Sequence, residues 1–521
     1  MMAYNTNVYF LFLILTAIAY MLTPKKYRYV TLLLGSLIFA YSFSKMLISW
    51  TILAGGIAWT GGLLIEKALG MEKGLKNDEK KKAKRRTKAV MLCSVLTLLL
   101  ILIGLKYTNF IATEVTKSLG MDTLFLSARL KRVAAPIGIS FYTLQALSYL
   151  LDIYWKREKA ERNPLKVLLF LLFFPTLMEG PIARWSDVKD SMFEGNPITE
   201  DAVRDGTIRI VLGLFKRMII SDRLNVMVNR LYAPGLHLDG AMILLTAVVT
   251  TVQLYMEFSG TIDIVIGSAK IFGIGLPENF RQPFFAQSAA EFWRRWHITL
   301  GTWFKNYIFY PVSTSRLMKK WGRFGRKHCG KYLTNVVTSA IALFPVWILN
   351  GFWHGPKWPY IIYGIYYFII LLLEVMLKPV GAAIHKRMGL SENGKALKVI
   401  RTVRTWLVIV FGEMLFRANT FGQFLRMMRA LLHFPGKGLP FSFSTSWLGL
   451  EFGDIAVAIA GCIVMFYLDY RLEKNPLYLK SITELPKGRR WGMYYTMIFS
   501  IVVFGAYGAG YTPADLIYAG F

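Results

Sequence analysis

The stretch Glu291-Phe-Trp-Arg-Arg-Trp-His-Ile-Thr-Leu-Gly-Thr-Trp-Phe-Lys-Asn-Tyr-Ile-Phe-Tyr-Pro311 is the most informative part of the chain. Read as one helix, it has a single apolar face, because side chains recur at steps of three and four residues: Trp293, Trp296, His297, Leu300, Gly301 and Phe304. Glu291 stands four residues before Arg295, a spacing that predicts an ion pair. The pattern leaves both core packing and function open for His297.

A second imidazole lies in Asn350-Gly-Phe-Trp-His354-Gly-Pro, at a break between two hydrophobic segments. Ionisable groups at membrane depth are functional candidates by default. Gly351 and Gly355 flank His354 and allow a substrate to approach closely. A neutral imidazole can take a proton from a hydroxyl near neutral pH. His354 is therefore the predicted general base, and a structural histidine at a helix end is the alternative.

Composition indicates a membrane protein. Hydrophobic residues make up 55% of the chain, and several runs approach the ~20 apolar residues that cross a bilayer. The formal net charge is +31, and the lysine and arginine residues that produce it lie between the hydrophobic runs. This distribution is typical of the positive-inside bias and not of a nucleic-acid-binding domain. The three cysteines are far apart and have no metal-ligand spacing. We expect neither a metal site nor a disulfide framework.

The hydrophobic runs predict an all-α, polytopic protein with about 11–12 membrane crossings. They lie near residues 7–22, 29–45, 47–65, 88–107, 136–154, 207–230, 241–256, 332–350, 359–378, 400–416, 452–470 and 490–509. With both termini outside, the basic segments are cytoplasmic: 25–28, 67–88, 156–166, 316–331, 378–398 and 471–490. One loop departs from the rule, because 108–135 is predicted outside yet is basic.

Two stretches are predicted not to cross. Residues 165–183 are apolar but interrupted by proline and glycine, which indicates a re-entrant element buried in protein. Residues 257–312 are too polar to span cleanly and predict interfacial helices. We see no repeat or linker and expect residues 1–521 to form one integral membrane domain.

An ordered series of motifs resembles the membrane-bound O-acyltransferase superfamily, most closely its bacterial branch of alginate O-acetylation and teichoic acid D-alanyl transfer proteins. Besides the two histidine motifs, the series runs through Pro136-Ile-Gly-Ile-Ser-Phe-Tyr-Thr-Leu-Gln-Ala-Leu-Ser-Tyr149, Phe173-Phe-Pro-Thr-Leu-Met-Glu-Gly-Pro-Ile-Ala-Arg184, Phe258-Ser-Gly260, Leu276-Pro-Glu-Asn-Phe280 and Leu415-Phe-Arg-Ala-Asn419. It covers roughly residues 100–430, and further predicted crossings follow within 450–510.

The resemblance implies an acyltransferase in which His354, at the Trp-His-Gly position, is catalytic. It implies an acetyl group that leaves cytoplasmic acetyl-CoA and reaches a hydroxyl of a surface polysaccharide or cell-wall polymer, with no tightly bound cofactor. It also implies that the protein lies in the cell membrane of a bacterium and works beside an extracytoplasmic esterase-like partner. His297 is expected to orient or bind the acyl donor, with core packing as the alternative.

Trp293, Arg294 and Arg295 are candidate donor-binding residues, because guanidinium groups pair well with phosphates. Both arginines could equally be residues that snorkel at a helix end. Two other functions stay open. The first is D-alanyl transfer from a carrier protein to teichoic acid, and the second is export without catalysis. Export predicts paired broken helices in two matching halves, and only one such interruption is present, at 175–181.

Overall fold

A computed structural model describes residues 3–72, 74–118, 135–236, 238–387, 394–432 and 448–507. Helices dominate these ranges, and the predicted all-α membrane class is confirmed. The chain divides into two compact units. The first includes Met1–Ile210 and Thr261–Pro277, and the second Val211–Gly260 and Glu278–Asp515. The prediction of one integral domain stays a prediction. The basic residues at 129, 131 and 132 of the departing loop lie outside the described residues.

The helices up to residue 240 follow in chain order. They are α1 Asn7–Leu22, α2 Arg28–Ser44, α3 Ile48–Met71, α4 Asn77–Lys106, α5 Thr108–Ser118, α6 Ile139–Tyr154, α7 Pro164–Leu172, α8 Trp185–Phe193, α9 Glu200–Leu214 and α10 Asp222–Leu231. A π-helical turn, Phe215–Ser221, joins α9 to α10.

The remaining helices carry the candidate site. They are α11 Gly240–Ile271, α12 Ala289–Arg295, α13 Ile298–Phe304, α14 Tyr310–Ser313, α15 Arg316–His328, α16 Gly330–His354, α17 Trp358–Arg387, α18 Lys395–Arg417, α19 Phe421–Leu432, α20 Phe452–Lys474, α21 Tyr478–Thr483 and α22 Lys487–Phe504.

Six helical segments among the described residues are long and apolar enough to cross a membrane. They are Lys25–Met71, Asp78–Lys106, Gly240–Ile271, Gly330–His354, Trp358–Ala383 and Phe452–Lys474. Each predicted crossing coincides with one or more helices. One boundary was wrong: the crossing predicted at 241–256 continues as a helix to Ile271, because its polar groups find partners. Gln253, for example, donates to Glu257 at 2.6 Å.

The interrupted apolar stretch is a short helix followed by irregular backbone. Helix α7 ends at Leu172, and residues 171–183 are all buried. Side chains from the N-terminal helical region satisfy its backbone groups. Ser36 accepts from the Phe174 amide at 3.0 Å, and the Tyr4 hydroxyl accepts from the Met178 amide at 3.2 Å. Irregular backbone is thus covered by protein, as an apolar surrounding requires.

Helices α16 and α17 pack backbone to backbone just before His354. A Cβ added at Gly351 would come within 2.6 Å of the Tyr360 carbonyl oxygen, and one at Gly364 within 2.3 Å of the Trp347 carbonyl oxygen. Real Cβ atoms do not approach that closely, so both positions need glycine. This contact fixes the end of α16 and therefore the position of the imidazole that follows it.

Candidate functional site

The helix predicted across residues 291–305 is interrupted. Helix α12 ends at Arg295 and α13 begins at Ile298, so the prediction of one continuous helix was wrong. His297 caps α13 in the left-handed conformation, with φ 46° and ψ 50°. This conformation is uncommon outside glycine, and histidine is one of the few other residue types, with asparagine and aspartate, that are enriched in it. Because of this break, His297 does not share one continuous helix face with Trp293, as its spacing in the sequence predicted.

Asn279 compensates for the break. Its backbone carbonyl accepts from the Ile298 amide at 3.0 Å. Its side-chain Oδ1 accepts from both the amide and the hydroxyl of Thr299, at 3.1 and 2.9 Å, and lies 3.2 Å from His297 Nδ1. Asn279 is fully buried. One amide side chain therefore replaces hydrogen bonds that a continuous helix would have made.

The His297 ring is enclosed by aromatic residues. Its centroid lies 4.8 Å from that of Phe258 and 5.4 Å from that of Trp353. Burial lowers the pKa of His297 to about 3, because a charged ring loses its hydration there. The ring is therefore neutral near pH 7. An amide oxygen only accepts, so the contact with Asn279 assigns the ring proton to Nδ1.

His354 is the last residue of α16 and is also buried. Gly355 follows at φ 150° and ψ 172°, a backbone region that is open essentially to glycine alone. The imidazole centroid lies 5.0 Å from Phe416 and 5.7 Å from Tyr363, with both rings nearly perpendicular to it. Aromatic rings thus pack against two sides of this imidazole.

Trp353 contacts both histidines. Its ring centroid lies 5.4 Å from His297 and 5.0 Å from His354. Two imidazoles far apart in sequence are therefore separated by a single indole within the second unit. Sequence reasoning identified both histidines but assigned no role to Trp353 or Asn279. Both stood in quoted motifs, yet no spacing rule indicates that their side chains meet His297.

The three candidate donor-binding residues have different surroundings. Arg295 forms ion pairs with Glu291 and with Glu473, both at 2.7 Å, which confirms the predicted pair with Glu291. Arg294 is exposed. Trp293 packs against Trp347 and Tyr367, with centroids 4.9 and 4.8 Å away. Only Arg294 therefore has a guanidinium that faces solvent.

Contacts within the second unit join segments that were predicted to lie on the same side of the membrane. Arg295 lies between the crossings predicted at 241–256 and 332–350, which puts it on the predicted cytoplasmic side, and it pairs with Glu473 of the cytoplasmic segment 471–490. At the other predicted face, Arg417 donates to Asn229, and the Asn419 amide donates to the Tyr232 carbonyl at 3.0 Å. His354 belongs to the loop predicted to share that second face. The orientation of these two faces in the membrane stays a prediction.

A cavity of about 1030 Å³ lies in the first unit, so it contains neither histidine. It is lined by Leu63, Leu64, Glu66, Lys67, Leu69, Gly70, Ile153, Lys156, Arg157, Glu158, Lys159, Arg162 and Lys189. Its basic residues other than Lys189 come from two segments that were predicted cytoplasmic. Within the described ranges, no cluster of three or more histidine, cysteine or carboxylate groups could hold a metal ion.

Comparison with known proteins places the chain in a family. The model of the MBOAT, membrane-bound O-acyltransferase family matches residues 156–325, a region that includes His297 but not His354. A probable alginate O-acetylase of Pseudomonas syringae pv. tomato is 31% identical over 88% of this chain and 80% of its own length. A peptidoglycan O-acetyltransferase of Helicobacter pylori is 28% identical over 64% of this chain and 63% of its own.

A teichoic acid D-alanyltransferase of Bacillus subtilis is 27% identical over 55% of this chain and 69% of its own length. The chain belongs to the membrane-bound O-acyltransferase family. It is a multi-pass membrane protein and an acyltransferase, and the resemblance seen in its motifs is confirmed.

Proposed function

We propose that this protein moves an acetyl group from cytoplasmic acetyl-CoA across a bacterial cell membrane for O-acetylation of a surface polysaccharide or cell-wall polymer. The observation that carries the proposal is the indole of Trp353, which contacts both His297 and His354. A neutral imidazole on the predicted donor side thereby lies one side chain away from an imidazole on the predicted acceptor side.

The chemistry assigned to His354 is general base catalysis. Its imidazole takes the proton of an acceptor hydroxyl while the oxygen attacks the acetyl carbonyl. A carbon–oxygen bond forms, the carbon–sulfur bond of the thioester breaks, and the proton passes to the departing thiolate. The thioester supplies the driving force, so no nucleotide hydrolysis is needed. Burial among aromatic rings keeps competing water away from the reacting atoms.

His297 is proposed to position the donor and not to exchange protons. With a pKa of about 3, its ring stays neutral at the pH of the cytoplasm. Its Nδ1 is engaged by Asn279 at 3.2 Å, which fixes the ring plane. Arg294, exposed on α12 three residues before His297, is the proposed contact for a donor phosphate.

Acetyl transfer is favoured over D-alanyl transfer by the extent of similarity. The named alginate O-acetylases match between 83% and 99% of the chain, whereas the D-alanyltransferases match 55% and 46%. The proposal also includes an extracytoplasmic esterase-like partner that completes delivery to the polymer. A carrier-protein donor and D-alanyl transfer remain the alternative.

The test uses purified protein in lipid vesicles with radiolabelled acetyl-CoA and the extracytoplasmic partner. Free coenzyme A should appear on the face that carries Arg294, and label should reach the polymer on the opposite face. If turnover ignores acetyl-CoA and requires an acylated carrier protein, the alternative replaces the proposal.

Sidedness is tested separately by cysteine labelling in a variant whose three native cysteines are replaced by serine. Lys327→Cys on α15 and Thr420→Cys before α19 both occupy exposed positions. In intact cells an impermeant thiol reagent should label position 420 and spare position 327. Labelling of position 327 would show that the orientation is the opposite of the one proposed, and the donor and acceptor sides would then exchange.

A further inference from the structure

Glu413 is a buried carboxylate on α18, a helix that is otherwise apolar at this depth. It is only 1% exposed. The Tyr363 hydroxyl donates to its Oε1 at 3.1 Å, and Tyr363 is buried as well. A buried acid is costly unless it is hydrogen-bonded, and acids at membrane depth are usually functional. The mechanism above does not use this group.

Tyr363 connects Glu413 to the proposed base. Its ring stands at 88° to the His354 imidazole, with centroids 5.7 Å apart. Phe416, one turn after Glu413, lies 5.0 Å from His354 and 5.2 Å from Tyr363. Tyr363 and Phe416 therefore hold two sides of the imidazole, and the hydroxyl bond to Glu413 fixes where the Tyr363 ring can stand.

We propose that Glu413 is a positioning residue that acts on His354 through Tyr363, an inference that rests on the proposed function. When the hydroxyl is bound, the Tyr363 ring is held edge-on against the imidazole. Without the acceptor, the hydroxyl must seek another partner and the ring moves with it. Since proton transfer needs the base within hydrogen-bond reach of the hydroxyl, a small displacement of His354 lowers turnover.

The test compares variants that keep or remove the hydrogen bond without a large change in volume. Glu413→Gln retains an oxygen that can accept, whereas Glu413→Met removes it and Tyr363→Phe removes the donor. We expect Glu413→Met and Tyr363→Phe each to lower kcat about tenfold to a hundredfold with KM unchanged, the scale of a misplaced catalytic group. Glu413→Gln should stay close to the native kcat, and the double variant Tyr363→Phe/Glu413→Met should fall no further than either single change.

A second buried tyrosine–carboxylate pair provides the matched control. Tyr255 donates to Asp469 at 2.9 Å in the same unit, and its rings of contact are Phe280, Phe284 and Trp296. Tyr255→Phe should leave kcat near native. An equal fall in Tyr255→Phe and Tyr363→Phe would mean general destabilisation, and an equal fall in Glu413→Gln and Glu413→Met would mean that charge matters instead. Either result overturns the proposal. His354→Ala in the same assay reports on the proposed function independently.

The cavity of the first unit carries a second, independent inference. Its two glutamates are engaged: Glu158 pairs with Lys189 at 2.7 Å and Glu66 with Arg162. Lys67, Lys156 and Lys159 also line it, and among the described ion pairs none involves these three lysines. The three lysines therefore give the lining of the cavity an excess of positive charge.

Backbone geometry and an apolar wall complete this site. Lys156 adopts φ 61°, a left-handed conformation that ordinarily selects glycine. This conformation closes the end of α6 in a Schellman turn, in which the Arg157 amide donates to the Asp152 carbonyl at 2.8 Å. Beside the lysines, Leu63, Leu64 and Leu69 of the spanning segment form an apolar wall, and Leu64 is 54% exposed. Cationic groups next to a lipid-facing leucine surface fit a ligand with an anionic head and an apolar tail.

We propose that this cavity binds an anionic phospholipid of the cytoplasmic leaflet. Native mass spectrometry of the detergent-solubilised protein, titrated with phosphatidylglycerol and with phosphatidylcholine of the same chains, measures the preference. Changing Lys67, Lys156 and Lys159 to glutamine should weaken phosphatidylglycerol binding about a hundredfold, since three lysines near a membrane surface each contribute to the attraction of an anionic headgroup.

The control changes Lys80, Lys81 and Lys84 to glutamine, an equal loss of charge on the exposed start of α4. It should alter binding little. Equal weakening in the two triple variants would mean that only net charge attracts the lipid. Displacement of the lipid by coenzyme A at matched concentration would assign the cavity to a soluble phosphate ligand. Either result overturns the lipid site.

Discussion

His297 and His354 are both buried and both contact Trp353, but they are held in different ways. His297 stands at a helix break and is fixed through Nδ1 by Asn279 at 3.2 Å. His354 ends a long helix and is oriented by the rings of Tyr363 and Phe416. A hydrogen bond to a nitrogen commits that atom, whereas ring packing orients an imidazole through its carbon framework.

The difference indicates which histidine is placed to meet a substrate. A low pKa and the contact with the Asn279 side chain suit His297 for keeping one fixed position and a neutral ring. An imidazole whose position depends on packing, next to a glycine that admits close approach, suits His354 for meeting a substrate. Four variants test this contrast, beginning with the largest expected effect.

His354→Ala should abolish transfer, with a loss of about a hundred- to ten-thousandfold, because the general base is gone. The assay is acetyl transfer to polymer in vesicles. Protein yield and thermal unfolding in detergent serve as controls for folding. Near-native product from a well-expressed His354→Ala variant would remove the proposed base.

Gly364→Ala should lower turnover about a hundredfold, the scale of a displacement of about 1 Å at a catalytic group. The added Cβ would lie 2.3 Å from the Trp347 carbonyl oxygen, so α16 must shift and carry His354 with it. Gly381→Ala on the same helix meets no atom within 4 Å and is the matched control. Equal activities of the two variants would show that the helix contact does not set the position of His354.

His297→Asn should change the pH dependence of stability more than activity, and asparagine tolerates the left-handed backbone at this position. The native ring keeps a pKa of about 3, whereas the unfolded ring takes a proton below about pH 6.5. Unfolding therefore binds protons, and its free energy falls as pH decreases, by about 1.4 kcal/mol for each pH unit between these limits. The full contribution is present above pH 6.5.

The variant lacks this titration, so its stability should fall less between pH 7 and pH 5 than that of the native protein. Thermal unfolding in detergent at the two pH values measures the difference. Parallel losses in both proteins would mean that His297 is protonated in the folded state.

Arg294→Gln should raise KM for acetyl-CoA about two- to fivefold and leave kcat unchanged, as expected for one exposed ion pair. Added salt should reduce the effect. The control is Arg323→Gln, which changes an exposed arginine on a different helix, α15. An unchanged KM would assign Arg294 to the helix end alone and leave the donor to other residues.

The sequence predicted the helices well, because membrane crossing imposes length and apolarity over whole segments. The roles of the two histidines stay predictions. The sequence missed the break before His297. Residues 291–305 have clean helical spacing, and Asn279, from an earlier segment, stabilises the interruption through its backbone carbonyl and its side chain. The link from Glu413 to His354 was equally hidden, since it depends on how α17 and α18 meet. Periodicity reports on a single helix and carries no information on the residue that another segment supplies.

The irregular segment after α7 also limits how the chain can be made. Its amides bond to Tyr4 and Ser36, residues that are synthesised well before it. When residues 173–184 emerge from the ribosome, the insertion machinery cannot release them into lipid alone, because their backbone groups would be left without partners. The first helices must therefore already be inserted next to the site at which residues 173–184 leave the insertion machinery. We therefore expect the order of synthesis to be part of the folding route, and a permuted chain that begins after α7 to stall during membrane insertion.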